Sequence, residues 1–311
     1  MPINNLQQIT DTLFKLLMDK RRISLEAEKT CSGLLCTACS AHHKSKIQLA
    51  LAEQRPLSLI LPAFPAKSAN RKKTLSEKPD RGEILGLIHL NELCQNMQQH
   101  HNHGIKLIIC SDGRVFNDLV LVNDAGVDTY QQGIKQIITE HQLTHLTTFS
   151  LDEVYPCHNY QSMRELLMIE YSQTLESLKQ QIKENPDQLY QFNGIHRFII
   201  EDRLYLQPEH SKNKIRQQAK EISYEVIRRS NAWSRLLENY FPKAVRLSIH
   251  PQPCGSEKMG IHLLPSTNRW GTPWHNVLLK SSQGWQLIKR EEAERLGAQL
   301  NDDHYVLEHK A

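Results

Sequence analysis

The stretch LPAFPAKSAN, residues 61–70, organises this chain, because it turns a buried strand into a polar loop. The apolar run 57–61 that leads into it predicts a buried strand. Proline fixes φ and has no N–H donor, so the strand cannot continue through the two prolines of this stretch. A stiff loop therefore holds Lys67 and Ser68 at the carboxyl end of a strand, which is where ligands bind in open α/β sheets.

Length and composition are those of a soluble protein with one elaborated domain or two ordinary ones. The chain has 311 residues, of which 39% are hydrophobic and 23% charged, with a formal net charge of +4. No apolar run approaches the ~20 residues of a transmembrane helix. The segment Met1–Lys20 carries charges where a signal peptide needs an apolar stretch. These features predict a cytoplasmic protein.

Apolar runs alternate with helical periodicity through the first half of the chain. The predicted strands and helices are strands 57–61, 105–110 and 145–149, and helices 5–19, 46–54, 81–99 and 127–142. This alternation predicts βαβ units and a mainly parallel, Rossmann-like sheet with flanking helices. No G-x-G-x-x-G or G-x-x-x-x-G-K-S/T motif is present, so the usual nucleotide phosphate loops are missing.

The second half changes from long helices to short strands. Helices are predicted at 159–184, 211–239 and 291–296, and strands at 245–250, 260–264, 276–280 and 285–289. We therefore expect an α/β fold with a Rossmann-like part, residues 1–205, and a smaller C-terminal α/β part, residues 206–311. The C-terminal strands should form a mixed or antiparallel sheet that closes the site.

Polar side chains follow the second predicted strand and alternate along the fourth. Asp112 and Arg114 come directly after the run 105–110, although an Asp-Gly turn with an arginine partner would look the same. Arg246, Ser248 and His250 alternate and should therefore share one face of a strand. His250 is the first choice for a general base, because the ordinary pKa of histidine suits that task. A buried structural histidine is the alternative.

Three further side chains complete the predicted site. Lys258 suits a second anion-binding cation, with a surface lysine as the alternative. Trp274 could stack on an aromatic ring or lie in the core, and His275 is a second acid–base candidate.

The cysteines leave two interpretations open. Cys31, Cys36 and Cys39, followed by His42 and His43, have a spacing that could close a tetrahedral zinc site. The usual pair of C-x-x-C knuckles is absent, so free or partly buried thiols are favoured and no metal ligand is assigned.

Blocks spread over the chain carry a family resemblance. They are LPAFPAKSAN (61–70), CSDGRVFNDL (110–119), RLSIHPQP (246–253), KMGI (258–261) and TPWHN (272–276). In this order and spacing they resemble the isocyanide (isonitrile) synthases of the pyoverdine/dityrosine biosynthesis protein family.

The resemblance implies a reaction and its partners. The amine of an aromatic L-amino acid, tyrosine or tryptophan, condenses with the C2 ketone of ribulose 5-phosphate, whose C2 becomes the isonitrile carbon. No redox cofactor is needed, and an iron/2-oxoglutarate oxygenase usually acts on the product. The predicted catalytic residues are His250, His275 and Asp112. The predicted substrate-binding residues are Lys67, Ser68, Arg114, Arg246, Ser248, Lys258 and Trp274.

Two rival functions remain at this point. The basic clusters 71–73 and 228–229, with four tryptophans, could serve a nucleic-acid-binding module, although no such motif is recognisable. A sugar-phosphate-binding protein without catalysis would keep the same lysines. The favoured interpretation involves neither nucleic acid nor a membrane.

Overall fold

A computed structural model describes residues 3–156, 158–268 and 270–308 of the chain. The helices are α1 (Ile3–Met18), α2 (Leu25–Thr30), α3 (Thr37–Ala52), α4 (Arg81–Gln98), α5 (Gly113–Phe116), α6 (Asp124–Glu140), α7 (Leu151–Val154), α8 (Tyr160–Tyr171), α9 (Leu175–Glu184), α10 (Pro186–Leu206), α11 (Lys212–Tyr240) and α12 (Arg290–Arg295). The strands are β1 (Leu57–Leu61), β2 (Ile105–Cys110), β3 (Leu146–Phe149), β4 (Val245–Ser248), β5 (Lys258–Gly260), β6 (Val277–Ser281), β7 (Gly284–Ile288), β8 (Gln299–Asn301) and β9 (His304–Val306). Short 3₁₀ turns lie at Gly33–Leu35 and Pro273–His275. No described helix has the length and apolar character needed to cross a membrane.

The first sheet is wholly parallel and has the strand order β3-β2-β1-β4-β5. Strand β1 is buried on both faces, because Leu57, Leu59 and Leu61 pack in one apolar cluster and Ile60 packs in another. This burial explains why four of its five residues are leucine or isoleucine, with Ser58 as the half-buried exception. The expected Rossmann-like parallel sheet with flanking helices is confirmed.

One expectation about this sheet was wrong. Strand β4 pairs with β1 and β5 pairs with β4 in the parallel sheet, whereas we expected both strands in the C-terminal sheet. Short strands between prolines and glycines carry no signal for their pairing partner, which long-range packing decides. The division of the chain into parts 1–205 and 206–311 stays a prediction. Strands β4 and β5 belong to the second of these parts in sequence but join the sheet of the first.

The second sheet has the order β7-β6-β9-β8 and mixed pairing. Strands β6 and β7 form an antiparallel hairpin, β8 and β9 form another, and β6 pairs with β9 in parallel. The expected small mixed sheet is therefore confirmed. The β8–β9 hairpin was not predicted, since β8 is fully exposed and has no apolar alternation.

Local capping explains where several helices begin. Asp80 and Glu83 form a capping box at α4, and Ser211 caps α11 as predicted. The single helix expected at 159–184 is two helices, because Thr174 caps α9. Helix α10 was missed, although Asn185 caps it and Pro186 occupies its first turn.

The strand order creates a crevice at the carboxyl end of the first sheet. From β1 the chain passes to β2 and β3 on one side, while β4 and β5 lie on the other side. Loops that leave β1 and β4 therefore run apart, which is the switch point where open α/β sheets bind ligands. Helices α10 and α11 pack together above this position.

Candidate active site

A cavity of about 930 Å³ occupies this crevice. Its floor comes from the segments that follow β1, β2 and β4. Helices α10 and α11, with residues 267–268 and 270–276, supply its walls. A volume of this size lies near the upper end of the range of ligand pockets, which is typically about 300–1,000 Å³. Of the predicted site residues, the cavity brings together Lys67, Ser68, Asp112, Ser248, His250, Lys258, Trp274 and His275.

The loop after β1 is held rigidly against the loop after β2. Phe64 is buried and has φ of 55°, in the left-handed region that side chains rarely adopt. The Ser111 hydroxyl donates to the Phe64 carbonyl at 3.0 Å. At Gly113 a Cβ atom would lie 2.0 Å from the Pro65 carbonyl oxygen, so the close approach requires glycine. The floor of the cavity is thus fixed by backbone packing.

Lys67 is fully buried beneath this floor in a cluster of carboxylates. Its Nζ lies 2.7 Å from Asp80 Oδ2 and 2.9 Å from Glu83 Oε2, and it donates to the Pro273 carbonyl at 2.9 Å. Burial alone would lower the pKa of Lys67, but the two carboxylates outweigh it and raise that pKa. Burial raises the pKa of the Glu83 carboxyl to about 7 against the opposing effect of Lys67. All three N–H donors of Lys67 already have acceptors, which favours a structural role, and its contact with a phosphate stays a prediction.

Ser68 belongs to a second buried network, centred on Asp202 of α10. The Asp202 carboxylate accepts from the Ser68 hydroxyl at 3.0 Å and from the Asn70 amide at 3.0 Å, and Lys73 Nζ lies 2.7 Å away. Lys73 Nζ also lies 4.5 Å from the centre of the Phe198 ring. For residues 71–73 we expected a solvated charged run from which one side chain could line the entrance of the site. Lys73 is the side chain that lines the cavity wall, where it pairs with Asp202.

Asp112 is an isolated acid at the cavity floor. Its Oδ1 is buried without a hydrogen-bond partner among the described residues. Burial raises the pKa of the Asp112 carboxyl from 3.8 to about 7, against a small lowering by its own backbone N–H. A carboxyl that titrates near neutral pH can both accept and donate a proton, as general acid–base catalysis requires.

The two histidines of the cavity are neutral at physiological pH. Burial, with Arg22 and Lys258 nearby, lowers the pKa of His250 to about 4. Burial also holds the pKa of His275 well below its ordinary 6.5, and His275 Nδ1 has no partner in the described part of the chain. Neutral imidazoles offer hydrogen-bond acceptors and donors to a substrate. Their roles as acid or base stay predictions.

Lys258 is a cation that faces the cavity without a carboxylate in ion-pair contact among the described residues. Burial, with Arg246 nearby, lowers the pKa of its amine to about 8. Lys258 therefore remains mostly charged at neutral pH, and its side-chain N–H donors have no acceptor among the described residues. Ser248, which also lines the cavity, accepts from the His250 backbone N–H at 3.1 Å and from the Gln252 amide at 3.1 Å.

Arg114 and Arg246 do not line the cavity. Arg114 pairs with Asp128 and Asp152 and stacks on Tyr160, with its guanidinium carbon 3.8 Å from the ring centre. These contacts favour a structural ion pair for Arg114. A substrate contact by Arg114 or by Arg246 stays a prediction.

Arg246 is turned toward α11. The expectation that Arg246, Ser248 and His250 share one polar face is therefore met only in part. It donates to the Ser234 carbonyl at 3.2 Å and pairs with Glu238 at 3.2 Å. Ser248 and His250 line the cavity, whereas Arg246 is buried outside it. The alternation of β4 alone did not show that α11 would cover the start of the strand.

Aromatic side chains line one side of the cavity. The Trp270 ring lies 5.4 Å from the His250 ring and 5.6 Å from the Tyr190 ring, measured between centres. Trp274 is 2% exposed and packs on Phe64, so most of its ring is core. Neither Trp270 nor Tyr190 was predicted from the sequence as a site residue. The N-terminal cap of α10 was the available signal for Tyr190.

The basic clusters that supported nucleic-acid binding are neutralised. Lys73 is buried against Asp202, and Arg71 pairs with Glu77 at 3.1 Å. The two arginines of the second cluster pair with acids on their own or a neighbouring element, Arg228 with Glu225 and Arg229 with Asp118. These contacts leave no continuous basic stripe at either cluster.

Comparisons with known proteins agree with this geometry. The family model described as pyoverdine/dityrosine biosynthesis protein matches residues 47–300. An L-tryptophan isonitrile synthase of Fischerella ambigua is 42% identical over 292 residues, covering 94% of this chain and 88% of that protein. An L-tyrosine isonitrile synthase of Pseudomonas aeruginosa is 41% identical over 265 residues, covering 82% and 81%.

The fold comparison gives the same result. The crystal structure of PvcA from Pseudomonas aeruginosa matches with a TM-score of 0.90 and 38% identity, covering 96% of this chain and 99% of that one. The matched regions include the loops after β1, β2 and β4 that form the cavity floor. The chain therefore belongs to the pyoverdine/dityrosine biosynthesis protein family.

Proposed function

We propose that this protein is an isonitrile synthase that acts on an aromatic L-amino acid, tryptophan or tyrosine, with ribulose 5-phosphate as carbon donor. Relatives named for L-tryptophan and for L-tyrosine are 42% and 41% identical to it, which supports an aromatic substrate. The same two names leave the choice between the two amino acids open.

One observation carries the proposal: a single cavity combines an aromatic wall, a cation that forms no ion pair with a described carboxylate, and an acid whose pKa is raised to about 7. These are Trp270, Lys258 and Asp112, all around the same 930 Å³. An aromatic amino acid needs the wall, a sugar phosphate needs the cation, and imine formation needs proton transfer. The volume admits both substrates together.

Lys258 is the proposed phosphate contact. Its amine has free N–H donors, whereas Lys67 has given all of its donors to Asp80, Glu83 and Pro273. A phosphate dianion would also raise the pKa of Lys258 from about 8, because opposite charge favours the ammonium form. Arg197, which is exposed at the cavity wall, is a second cation within the same space.

Asp112 is the proposed proton carrier. In its ionised form it takes a proton from the substrate ammonium, which frees the amine to attack the C2 ketone. The protonated carboxyl then returns the proton to the oxygen that leaves as water. His250 and His275 are neutral, so we assign them to hydrogen bonds with the sugar hydroxyls and to a secondary acid–base role.

The proposal extends to the setting of the reaction. The sugar fragments and leaves C2 as the isonitrile carbon, without a redox cofactor. The product then passes to an iron/2-oxoglutarate oxygenase, and the pathway is cytoplasmic.

Turnover with purified protein tests the proposal. We expect mass spectrometry to detect an isonitrile, one carbon heavier and two hydrogens lighter than the amino acid, only when both substrates are present. Substitution of ribose 5-phosphate, an aldose of the same composition, serves as a matched control because it has no C2 ketone. Absence of product with both aromatic amino acids, despite binding of ribulose 5-phosphate, would favour a non-catalytic sugar-phosphate-binding protein.

A further inference from the structure

Four cysteine thiols converge at one point outside the cavity. Cys31 follows α2, Cys36 and Cys39 stand at the start of α3, and Cys254 lies in the loop between β4 and β5. Their sulfur atoms all lie within 4.8 Å of one another, and all four cysteines are free. Cys39 and Cys254 are 215 residues apart in sequence, so the fold alone brings them together.

The spacing of the sulfurs matches a tetrahedral metal site. The distances between sulfur atoms are 3.6 Å for Cys31 and Cys39, 3.3 Å for Cys36 and Cys254, and 3.4 Å for Cys39 and Cys254. A zinc ion with four thiolates at about 2.3 Å places neighbouring sulfurs about 3.8 Å apart. Small outward movements would therefore bring these sulfurs onto the tetrahedron.

The fourth ligand differs from the one considered in the sequence. His42 is exposed, and His43 is buried with its ring stacked on Phe14 at 6.5 Å between centres. In the described part of the chain, Cys254 completes the group that Cys31, Cys36 and Cys39 begin. Cys254 lies in the loop after β4, so the spacing of residues 31–43 alone could not identify it as a ligand.

The surroundings suit thiolates. Arg21 donates from Nη1 to Cys31 Sγ at 3.1 Å and from Nη2 to Cys39 Sγ at 3.0 Å. The backbone N–H of Gly255 points at Cys39 Sγ, with 3.4 Å between nitrogen and sulfur. Four thiolates around a divalent ion carry a net negative charge, which the guanidinium offsets, and such donors to sulfur orient the ligands. Gly255 has φ of +76°, so the chain turns directly after Cys254.

We propose that Cys31, Cys36, Cys39 and Cys254 bind a structural zinc ion. Four thiolates leave no open position, which is the arrangement of structural zinc sites. The ion would tie the N-terminal segment to the loop between β4 and β5. His250 and Gln252 of this loop, and Lys258 at the start of β5, line the cavity. The zinc thus fixes one wall of the active site without contacting substrate, and its existence does not depend on the proposed reaction.

Metal analysis of the purified full-length protein tests the proposal. By inductively coupled plasma mass spectrometry we expect one zinc ion per chain in the wild type. The Cys254→Ser variant should have lost most or all of its zinc. Cys94→Ala is the matched control, because Cys94 is a buried free thiol in the core outside this cluster, and it should keep the zinc. Wild-type protein without zinc, stoichiometric iron in its place, or a Cys254→Ser variant with full zinc would each overturn the assignment.

A second measurement holds even if Cys254→Ser folds poorly. Wild-type protein stripped of metal under reducing conditions should bind cobalt(II) and show the intense visible bands of tetrahedral thiolate coordination. Addition of zinc should remove those bands and raise the melting temperature. Weak bands typical of octahedral cobalt would contradict a four-thiolate site.

Discussion

Asp112 is the residue on which the proposed chemistry depends most. Asp112→Asn keeps the size of the side chain but cannot accept a proton. General acid–base catalysis typically contributes about 10²–10⁴-fold, so we expect a loss of kcat in that range. Steady-state kinetics should also show the wild-type rate rising through pH 7, where the carboxyl ionises. Glu140→Gln, an exposed acid at the end of α6, is the control and should keep the wild-type rate. Wild-type kcat in Asp112→Asn would remove Asp112 from catalysis.

The same carboxyl should make stability depend on pH. Its folded pKa is raised from 3.8 to about 7, so its stabilising contribution is present below pH 4 and is lost as the pH rises through 7. The loss is at most on the order of 4 kcal/mol in the free energy of unfolding. Asp112→Asn should therefore melt at or above the wild-type temperature at pH 8. This outcome separates a catalytic loss from unfolding.

His250 gives the opposite dependence on pH. Its pKa is lowered to about 4, so its contribution is present above pH 6.5 and is lost as the pH falls through 4. His250→Gln cannot titrate and should lose less stability than the wild type between these values, by on the order of 3 kcal/mol. Denaturant unfolding at pH 7 and pH 4.5 measures the difference. Equal losses in both proteins would mean that His250 is solvated and charged at low pH.

The rate of the same variant tests catalysis separately. A loss of about 10²–10⁴-fold in kcat of His250→Gln at pH 7 would give His250 the acid–base role predicted from the sequence.

The loop after β1 and the start of α4 are joined by a buried ion cluster. Lys67→Met leaves Asp80 and Glu83 buried without their cation. Breaking a buried pair typically destabilises a protein by about 3–5 kcal/mol, which we expect here in denaturant unfolding. Lys72→Met is the matched control, because Lys72 is exposed and 3.8 Å from its acidic partner, and it should change stability by less than about 0.5 kcal/mol.

A second substitution tests whether charge causes the effect. Lys67→Met with Glu83→Gln removes one of the two stranded carboxylates and should recover part of the lost stability. If Lys67→Met instead keeps full stability and binds ribulose 5-phosphate more weakly, Lys67 would have the substrate-binding role predicted from the sequence.

The aromatic wall depends on the pairing of α10 with the segment 267–276. Trp270→Ala removes the ring between Tyr190 and His250. Aromatic contacts contribute roughly 0.5–1.5 kcal/mol beyond burial, so we expect KM for the amino acid to rise by about 2- to 13-fold or more. KM for ribulose 5-phosphate should stay unchanged. Trp285→Ala, which removes a half-buried tryptophan of β7 outside the cavity, should leave both values unaffected. Equal changes in both KM values would indicate that Trp270 supports the fold of the wall.

At the level of the whole molecule, strands buried on both faces were the easiest features to predict. Strands β1 and β2 are mainly apolar runs, each with one polar residue, Ser58 or Lys106, and the prolines after β1 marked its end. Sequence periodicity is local, however, and cannot report pairing between distant segments. The placement of β4 and β5 beside β1 depends on contacts nearly two hundred residues away, and that placement sets the switch point.

The candidate site was predictable where a residue follows a strand and unpredictable where a helix folds over it. Asp112, Ser248 and His250 leave strand ends and reach the cavity as expected. Trp270 and Asp202 come from segments that lie over the sheet only after α10 packs on α11. The environment of Lys67 was equally hidden, because its carboxylate partners belong to α4.

The fate of one carbon atom tests the central claim most directly. Purified protein should be incubated with L-tryptophan or L-tyrosine and ribulose 5-phosphate labelled with carbon-13 at C2, and the product examined by carbon NMR. We predict that the carbon-13 label appears in the isonitrile carbon of one of the two products. An isonitrile without the label would refute ribulose 5-phosphate as the carbon donor, and the absence of any isonitrile from either amino acid would contradict the proposed activity.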